Sequence, residues 1–161
     1  MRFWMTIGVL AMALSGASAQ DYPREIKARF ETAKESCKDA AGHGPDTKGV
    51  VVKPEAIRKL DLNGDRRDDY IVDYTHVSCD DNHAYFCGSG GCYLAILIAK
   101  QDGSFATVYD DQVLDYELTK KRGPHVITLS LHHSDCHDGR EFCVKRGRIT
   151  AKPLKLKMVP R

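Results

Sequence analysis

The sequence predicts an α+β domain in which one N-terminal helix packs on a mostly antiparallel sheet of about seven strands. Three observations favour this fold. One apolar stripe at helical spacing lies near the N terminus, short apolar segments separated by Gly, Pro and Asp follow it, and six cysteines suit a small disulfide-bonded domain. A β sandwich or barrel with a peripheral helix is the alternative that the same pattern allows.

Residues 1–19 have the features of a signal peptide. Arg2 gives a positive start, residues 3–14 are mainly apolar, and the small residues at 17–19 form a cleavage site. The apolar run is too short to span a membrane, and no later stretch approaches about 18 consecutive apolar residues. The sequence therefore predicts a periplasmic or secreted protein without a membrane span, in which residues 20–161 form one domain.

The helix is expected to begin near Tyr22-Pro23, because Pro is tolerated in the first helical turn, and to end by Ala41-Gly42. Apolar residues recur in this segment at spacings of four, three and four, which places them on one face. These residues are Ile26, Phe30, Ala33 and Cys37. The pattern indicates a helix with one face on the core and the others in solvent.

Three strands are expected around an acidic loop, at residues 50–52, 56–62 and 70–77. In the third of them, Asp73 would either support the loop or lie exposed as an ordinary surface acid. Residues 93–99 are an uninterrupted apolar run of strand length. Because this run lacks polar alternation, it indicates a central strand covered on both faces.

The second half of the chain is also rich in strand patterns. A turn at Asp102-Gly103 should bring residues 104–109 back antiparallel to the central strand, and residues 112–118 follow. Residues 125–132 alternate between apolar and polar side chains, which is typical of a strand with one buried face. A last hairpin is expected to turn at Arg146-Gly147.

The six cysteines allow fifteen pairings, of which two local ones stand out. Glycines within residues 87–92 let the backbone curl, and residues 136–143 can close a hairpin in the same way. The third bridge would then tie the helix to the end of the strand that leaves the acidic loop. The predicted disulfides are Cys87–Cys92, Cys136–Cys143 and Cys37–Cys79.

The acidic loop carries oxygen side chains at its positions 1, 3, 5 and 9, which are Asp61, Asn63, Asp65 and Asp69. Ca²⁺ prefers six to eight oxygen ligands, and a tight turn with an oxygen at every second residue can supply them. Gly64 permits such a turn. A bound cation would also offset the repulsion between the three carboxylates.

This loop resembles the calcium loops of FG-GAP and VCBS-type repeats, which read D-x-[DN]-G-D-G-x-x-D before an apolar strand. The resemblance implies Ca²⁺ bound by the same four side chains and by the backbone carbonyl of Arg67. Arg66 replaces the second glycine of the family pattern. An EF-hand is rejected because Val72 stands where that loop needs a bidentate Glu.

A second polar cluster lies at residues 132–138 and is rich in His and Asp. Such side chains are ligands for Zn²⁺ or Cu²⁺, and a site with an open position could activate water. However, neighbouring residues of a strand point to opposite faces, so His132 and His133 are not expected to bind one ion without a bulge. The simpler interpretation is a polar loop at a strand end.

The sequence contains no complete catalytic constellation, so the predicted function is a non-enzymatic, exported binding or accessory module with a mainly structural Ca²⁺. The alternatives are a small metal-dependent hydrolase that uses His132, Asp135 and His137, and a protein inhibitor of an envelope or host enzyme. The general pattern resembles small envelope proteins of Gram-negative bacteria, which implies a periplasmic address.

The basic C-terminal segment bears on the choice of partner. Residues 143–161 carry seven Lys or Arg, no acid and no aromatic residue. Because stacking aromatics are missing, nucleic acid is not an expected partner. We expect a monomer whose partner is another protein or an envelope component.

Overall fold

A computed structural model describes residues 22–38, 49–80, 82–120, 123–136 and 140–159. The predicted signal peptide and His137 lie outside these ranges. Within them, the chain forms one helix and eleven strands. In chain order the elements are α1 Arg24–Lys38, β1 Val50–Val52, β2 Ile57–Leu60, β3 Asp69–Asp73, β4 Val77–Cys79, β5 Cys87–Gly88, β6 Gly91–Ala99, β7 Phe105–Val113, β8 Asp115–Thr119, β9 Val126–His132, β10 Phe142–Arg148 and β11 Lys157–Met158.

The strands form three antiparallel sheets instead of one sheet of about seven strands. The largest has the order β2-β3-β6-β5, with β7 paired along β6. A second sheet has the order β11-β10-β9-β8, and β1 pairs with β4 alone. The predicted α+β class with mostly antiparallel strands is therefore confirmed, while the number of strands was underestimated.

Two hydrophobic cores lie on the opposite faces of β6, the middle strand of the five-stranded sheet. Leu94, Ile96 and Ile98 pack in the core that also holds Ile127 and Leu129 of β9. Ala95 and Leu97 instead pack in the core that contains residues of α1. The prediction of a central strand covered on both faces is confirmed, and the result is a layered order of helix, sheet and sheet.

Helix α1 contacts the sheet through the stripe that the sequence predicts. Ile26, Ala33 and Cys37 are buried, and Phe30 packs partly buried against the same core. The other positions of the helix are mostly exposed, and most of them are polar or charged, as expected for an amphipathic surface helix. Within the described ranges, no helix combines the length and apolar character that crossing a membrane requires.

The strand predicted at residues 70–77 is interrupted. A 3₁₀ turn at Tyr74–His76 separates β3 from β4. Asp73 caps this turn, because its Oδ1 accepts hydrogen bonds from the Thr75 amide at 3.0 Å and the Thr75 hydroxyl at 2.6 Å. Neither role considered for Asp73 is correct, since it is buried and stabilises the break in the strand.

The hairpin turn predicted at Arg146-Gly147 is also wrong. Both residues lie inside β10, where Gly147 pairs with Ile127 of β9. A glycine is needed here because the backbone of another chain segment lies very close: a Cβ atom at this position would be 2.7 Å from the carbonyl oxygen of Lys155. A crossing chain segment, not a turn, explains this glycine.

All six cysteines are paired, and the three predicted disulfides are confirmed. The longest-range bridge, Cys37–Cys79, joins the last turn of α1 to the end of β4. Both of its cysteines are fully buried. The bridge therefore fixes the helix on the face of the sheet that it covers.

Candidate functional site

The acidic loop lies between β2 and β3, and its first carboxylate organises the turn. The Oδ1 atom of Asp61 accepts hydrogen bonds from the amides of Gly64 at 2.7 Å and Asp65 at 3.1 Å. Its Oδ2 atom accepts from the Arg66 amide at 2.9 Å. These bonds satisfy three backbone donors that the turn would otherwise leave unpaired.

The side chains at loop positions 1, 3 and 5 converge. The Asp65 amide donates to Asn63 Oδ1 at 2.9 Å as well as to Asp61 Oδ1. Asn63 Nδ2 also donates to Asp65 Oδ2 at 2.9 Å. Because one amide donates to oxygens of both Asp61 and Asn63, these two oxygens lie close together on the same side of the turn.

Asp65 is bound by the side chain of Arg67. The guanidinium donates to Asp65 Oδ2 through Nη2 at 2.7 Å and Nε at 3.2 Å, and the Arg67 amide donates to Oδ1 at 2.9 Å. The guanidinium hydrogen bonds, together with those from Asn63 and the Arg67 amide, lower the pKa of Asp65 to about 2. A metal ion at Asp65 Oδ2 would have to replace the guanidinium.

Asp69 faces the interior of the protein and is fully buried. Its Oδ2 accepts from the amides of Leu62 at 2.8 Å and Asn63 at 3.3 Å, and its Oδ1 accepts from the Ala99 amide at 2.9 Å. Burial raises the pKa of this carboxyl, and the three amide hydrogen bonds oppose that rise. Asp69 thus ties the loop to the end of β6.

The backbone of the loop contains two residues in the left-handed region, with φ of 83° at Gly64 and 67° at Arg66. Glycine adopts this conformation freely, whereas for an L-residue such as Arg66 the conformation is unfavourable by about 1–2 kcal/mol. The glycine of the family pattern is therefore missing where the backbone geometry favours one.

The fit of the loop to Ca²⁺ is partial. Asp61, Asn63 and Asp65 offer converging oxygens, whereas both oxygens of Asp69 are directed at backbone amides, as described above. In the part of the chain that the structure describes, no group of three His, Cys, Asp or Glu side chains is close enough to hold a metal ion. A Ca²⁺ ion would therefore be held by Asp61, Asn63, Asp65 and the Arg67 carbonyl, with Asp69 supporting the turn.

The His-rich segment has a geometry that the sequence did not suggest. His132 ends β9 and His133 begins a 3₁₀ turn, so their rings do not point to opposite faces. Instead, His133 Nδ1 lies 2.9 Å from His132 Nε2, and the ring centroids are 3.9 Å apart. Because His137 lies outside the described ranges, the predicted set of His132, Asp135 and His137 stays a prediction.

A pocket of about 250 Å³ lies beside α1. Its aromatic wall is formed around Tyr74, whose ring centroid is 5.5 Å from that of Phe86 and 6.3 Å from that of Tyr93. At its rim, the Arg29 guanidinium binds both carboxylate oxygens of Asp110, at 3.0 and 2.9 Å. Burial of Tyr74 raises the pKa of its hydroxyl.

Sequence reasoning did not find this pocket. Arg29 and Asp110 are 81 positions apart, and neither stands in a motif. Tyr93 is an aromatic residue at the start of the apolar run, and it is 45% exposed whereas residues 94–99 are buried. The sequence does not reveal this exposure.

The fold, the three disulfides and the layered cores define a small disulfide-bonded α+β domain. Disulfides of this density are typical of proteins that fold in an oxidising compartment. Comparison of the chain with protein-family models, with curated proteins and with solved structures finds no match.

Proposed function

We propose that this chain is an exported, non-enzymatic binding or accessory module whose acidic loop takes up Ca²⁺ as a structural ion. Export is supported by the signal-peptide pattern at residues 1–19 and by the three disulfides. The proposed address is the periplasm or the extracellular space, and the proposed partner is a protein or a component of the envelope.

One observation carries the calcium proposal, namely that oxygens of Asp61 and Asn63 accept hydrogen bonds from the same Asp65 amide. The alternating positions of the loop therefore present their oxygens on one side, as a hard cation requires. Binding would exchange the Arg67 guanidinium for a divalent ion at Asp65. The ion would then connect the residues of a loop that joins β2 to β3.

The pocket beside α1 supports the binding role. It combines an exposed aromatic ring, Tyr93, with a bidentate ion pair, Arg29–Asp110, at its rim. Aromatic residues and arginine are the side chains that contribute most at protein interfaces. We therefore propose this pocket as the surface that contacts the partner.

The calcium proposal is tested by thermal unfolding of the oxidised protein with Ca²⁺ and with EDTA. Ca²⁺ should raise the melting temperature of the wild type and leave that of Asp65→Ala unchanged, because the variant lacks a central ligand. Asp68→Ala is the matched control, since Asp68 lies in the same loop but pairs with Lys59 at 2.8 Å. A wild-type melting curve that EDTA does not move would refute the calcium site.

A further inference from the structure

We infer that His132 and His133 form a two-nitrogen chelate for a late first-row divalent metal ion, with Cu²⁺ bound most tightly. This site is separate from the acidic loop and differs in chemistry, because imidazole nitrogens favour Cu, Ni and Zn whereas carboxylate oxygens favour Ca and Mg. The inference does not depend on calcium binding by the loop.

The distance between one nitrogen of each ring is compatible with a shared ion. Imidazole nitrogens bind such metals at roughly 2.0–2.1 Å, so two of them at a right angle around one ion lie about 2.9 Å apart. His133 Nδ1 and His132 Nε2 are 2.9 Å apart. A right angle between ligands is the geometry of tetragonal Cu²⁺ and Ni²⁺ sites, and a small opening of the pair would suit tetrahedral Zn²⁺.

The backbone around the pair is held in place on both sides. The 3₁₀ turn His133–Asp135 is closed by the Cys136 amide, which donates to the His133 carbonyl at 3.0 Å. Cys136 is bonded to Cys143 of β10, and Lys145 of the same strand donates to the Asp135 carbonyl at 2.5 Å. The backbone that carries the two rings is therefore fixed, which reduces the conformational entropy lost when a metal binds.

The Ser134 and Asp135 side chains beside the pair favour the His132 tautomer that a metal needs. Ser134 Oγ lies 3.5 Å from His132 Nδ1 and donates to Asp135 Oδ2 at 3.2 Å. If His132 carries its proton on Nδ1, facing Ser134, its Nε2 presents a lone pair toward His133. Hydrogen bonds of this kind orient metal-binding imidazoles in proteins.

Metal uptake then needs one tautomer change and no net proton release. With His132 in this tautomer, the Nδ1–H of His133 donates to His132 Nε2 in the metal-free pair, across the 2.9 Å that separates the two nitrogens. The His133 proton passes through solvent to that ring's own Nε2, and the ion binds to one side of the line between the two freed nitrogens, roughly 2.0–2.1 Å from each. Each ring then contributes one lone pair to the ion. The remaining coordination positions face solvent, since the pair is exposed.

The test is a titration of the oxidised, chelator-treated full-length protein with Cu²⁺ at neutral pH, followed by calorimetry and by electron paramagnetic resonance. We expect one Cu²⁺ per chain with two nitrogen ligands. His132→Ala and His133→Ala should each weaken binding by about 100-fold, because a single imidazole loses the advantage of two linked ligands. His83→Ala, which removes an exposed His elsewhere, is the control and should bind as the wild type.

Two further outcomes decide the proposal. Excess Ca²⁺ should leave Cu²⁺ binding unchanged, and Asp65→Ala should bind Cu²⁺ as the wild type does, which separates this site from the loop. Full-affinity binding by both His132→Ala and His133→Ala would overturn the proposal, as would a spectrum without nitrogen ligands. Melting curves recorded without metal establish that each variant is folded, and His133 is exposed enough for its replacement to be tolerated.

Discussion

The carboxylate of Asp69 accepts a hydrogen bond from the amide of Ala99 at 2.9 Å, and this contact joins the first residue of β3 to the last residue of β6. Asp69→Ala would leave the Ala99 and Leu62 amides unpaired in the interior. We expect a loss of about 3 kcal/mol in the free energy of unfolding. Urea denaturation measures this loss, and Asp68→Ala, which removes an exposed ion pair, should cost less than about 1 kcal/mol.

Arg67 should control the titration of Asp65. In the folded protein the pKa of Asp65 is about 2, below the ordinary value of 3.8, so its interactions add stability above about pH 4 that is lost as the pH falls toward 2. Arg67→Gln removes the guanidinium, which is the largest cause of the shift, and the pKa should rise toward the ordinary value. Carboxyl-carbon NMR across this pH range follows the change.

The same Arg67→Gln variant should bind Ca²⁺ more tightly than the wild type if the ion replaces the guanidinium, because no competing cation then contacts Asp65. Lys59→Gln removes a cation from the neighbouring Asp68 and is the control. Unchanged or weaker Ca²⁺ binding by Arg67→Gln would argue against the exchange of ligands at Asp65.

The disulfides should differ in their effect on stability. Cys37 and Cys79 are 42 positions apart, and Cys87 and Cys92 are five apart. On the loop-entropy model, losing the first bridge costs about 4 kcal/mol and losing the second about 2 kcal/mol. Denaturation of the two double-alanine variants measures both values. Equal losses would mean that strain or packing, not loop length, sets the contribution of these bridges.

Tyr93 should contribute to partner binding without contributing much to stability. Its ring lines the pocket beside α1, and 45% of the residue is exposed. Capture experiments on an envelope extract should recover a partner with the wild type and lose it with Tyr93→Ala. Leu114→Ala is a matched control, because Leu114 is also 45% exposed but does not line the pocket. Equal capture by both variants would place the contact surface elsewhere.

The elements that the sequence predicts well are those with a strong local pattern. The stripe of α1 and the apolar run of β6 each reflect burial along a single element, and both are confirmed. Spacing and glycine content were also sufficient for the three disulfides. In these cases neighbours in sequence carry the information, except for Cys37–Cys79, which follows once the two local bridges are assigned.

The features that the sequence does not predict are one local cap and two contacts between segments that are separated in the chain. The 3₁₀ turn after β3 is stabilised by the Asp73 side chain, which the alternating pattern of residues 70–77 conceals. Gly147 looks like a turn residue until residues 154–156 are seen to cross it. The ion pair of Arg29 with Asp110 likewise requires the folded arrangement of α1 and β7.

The acidic loop is attached to both large sheets at once. Asp69 binds the Ala99 amide of β6, while the Leu62 carbonyl accepts a hydrogen bond from the His125 amide at 2.7 Å, just before β9. If the loop opens, these amides lose their partners together. In hydrogen–deuterium exchange, the amides of Ala99 and His125 should therefore behave as one cooperative unit. If a ligand binds at the loop, the exchange of both amides should become slower, although they lie beside different sheets.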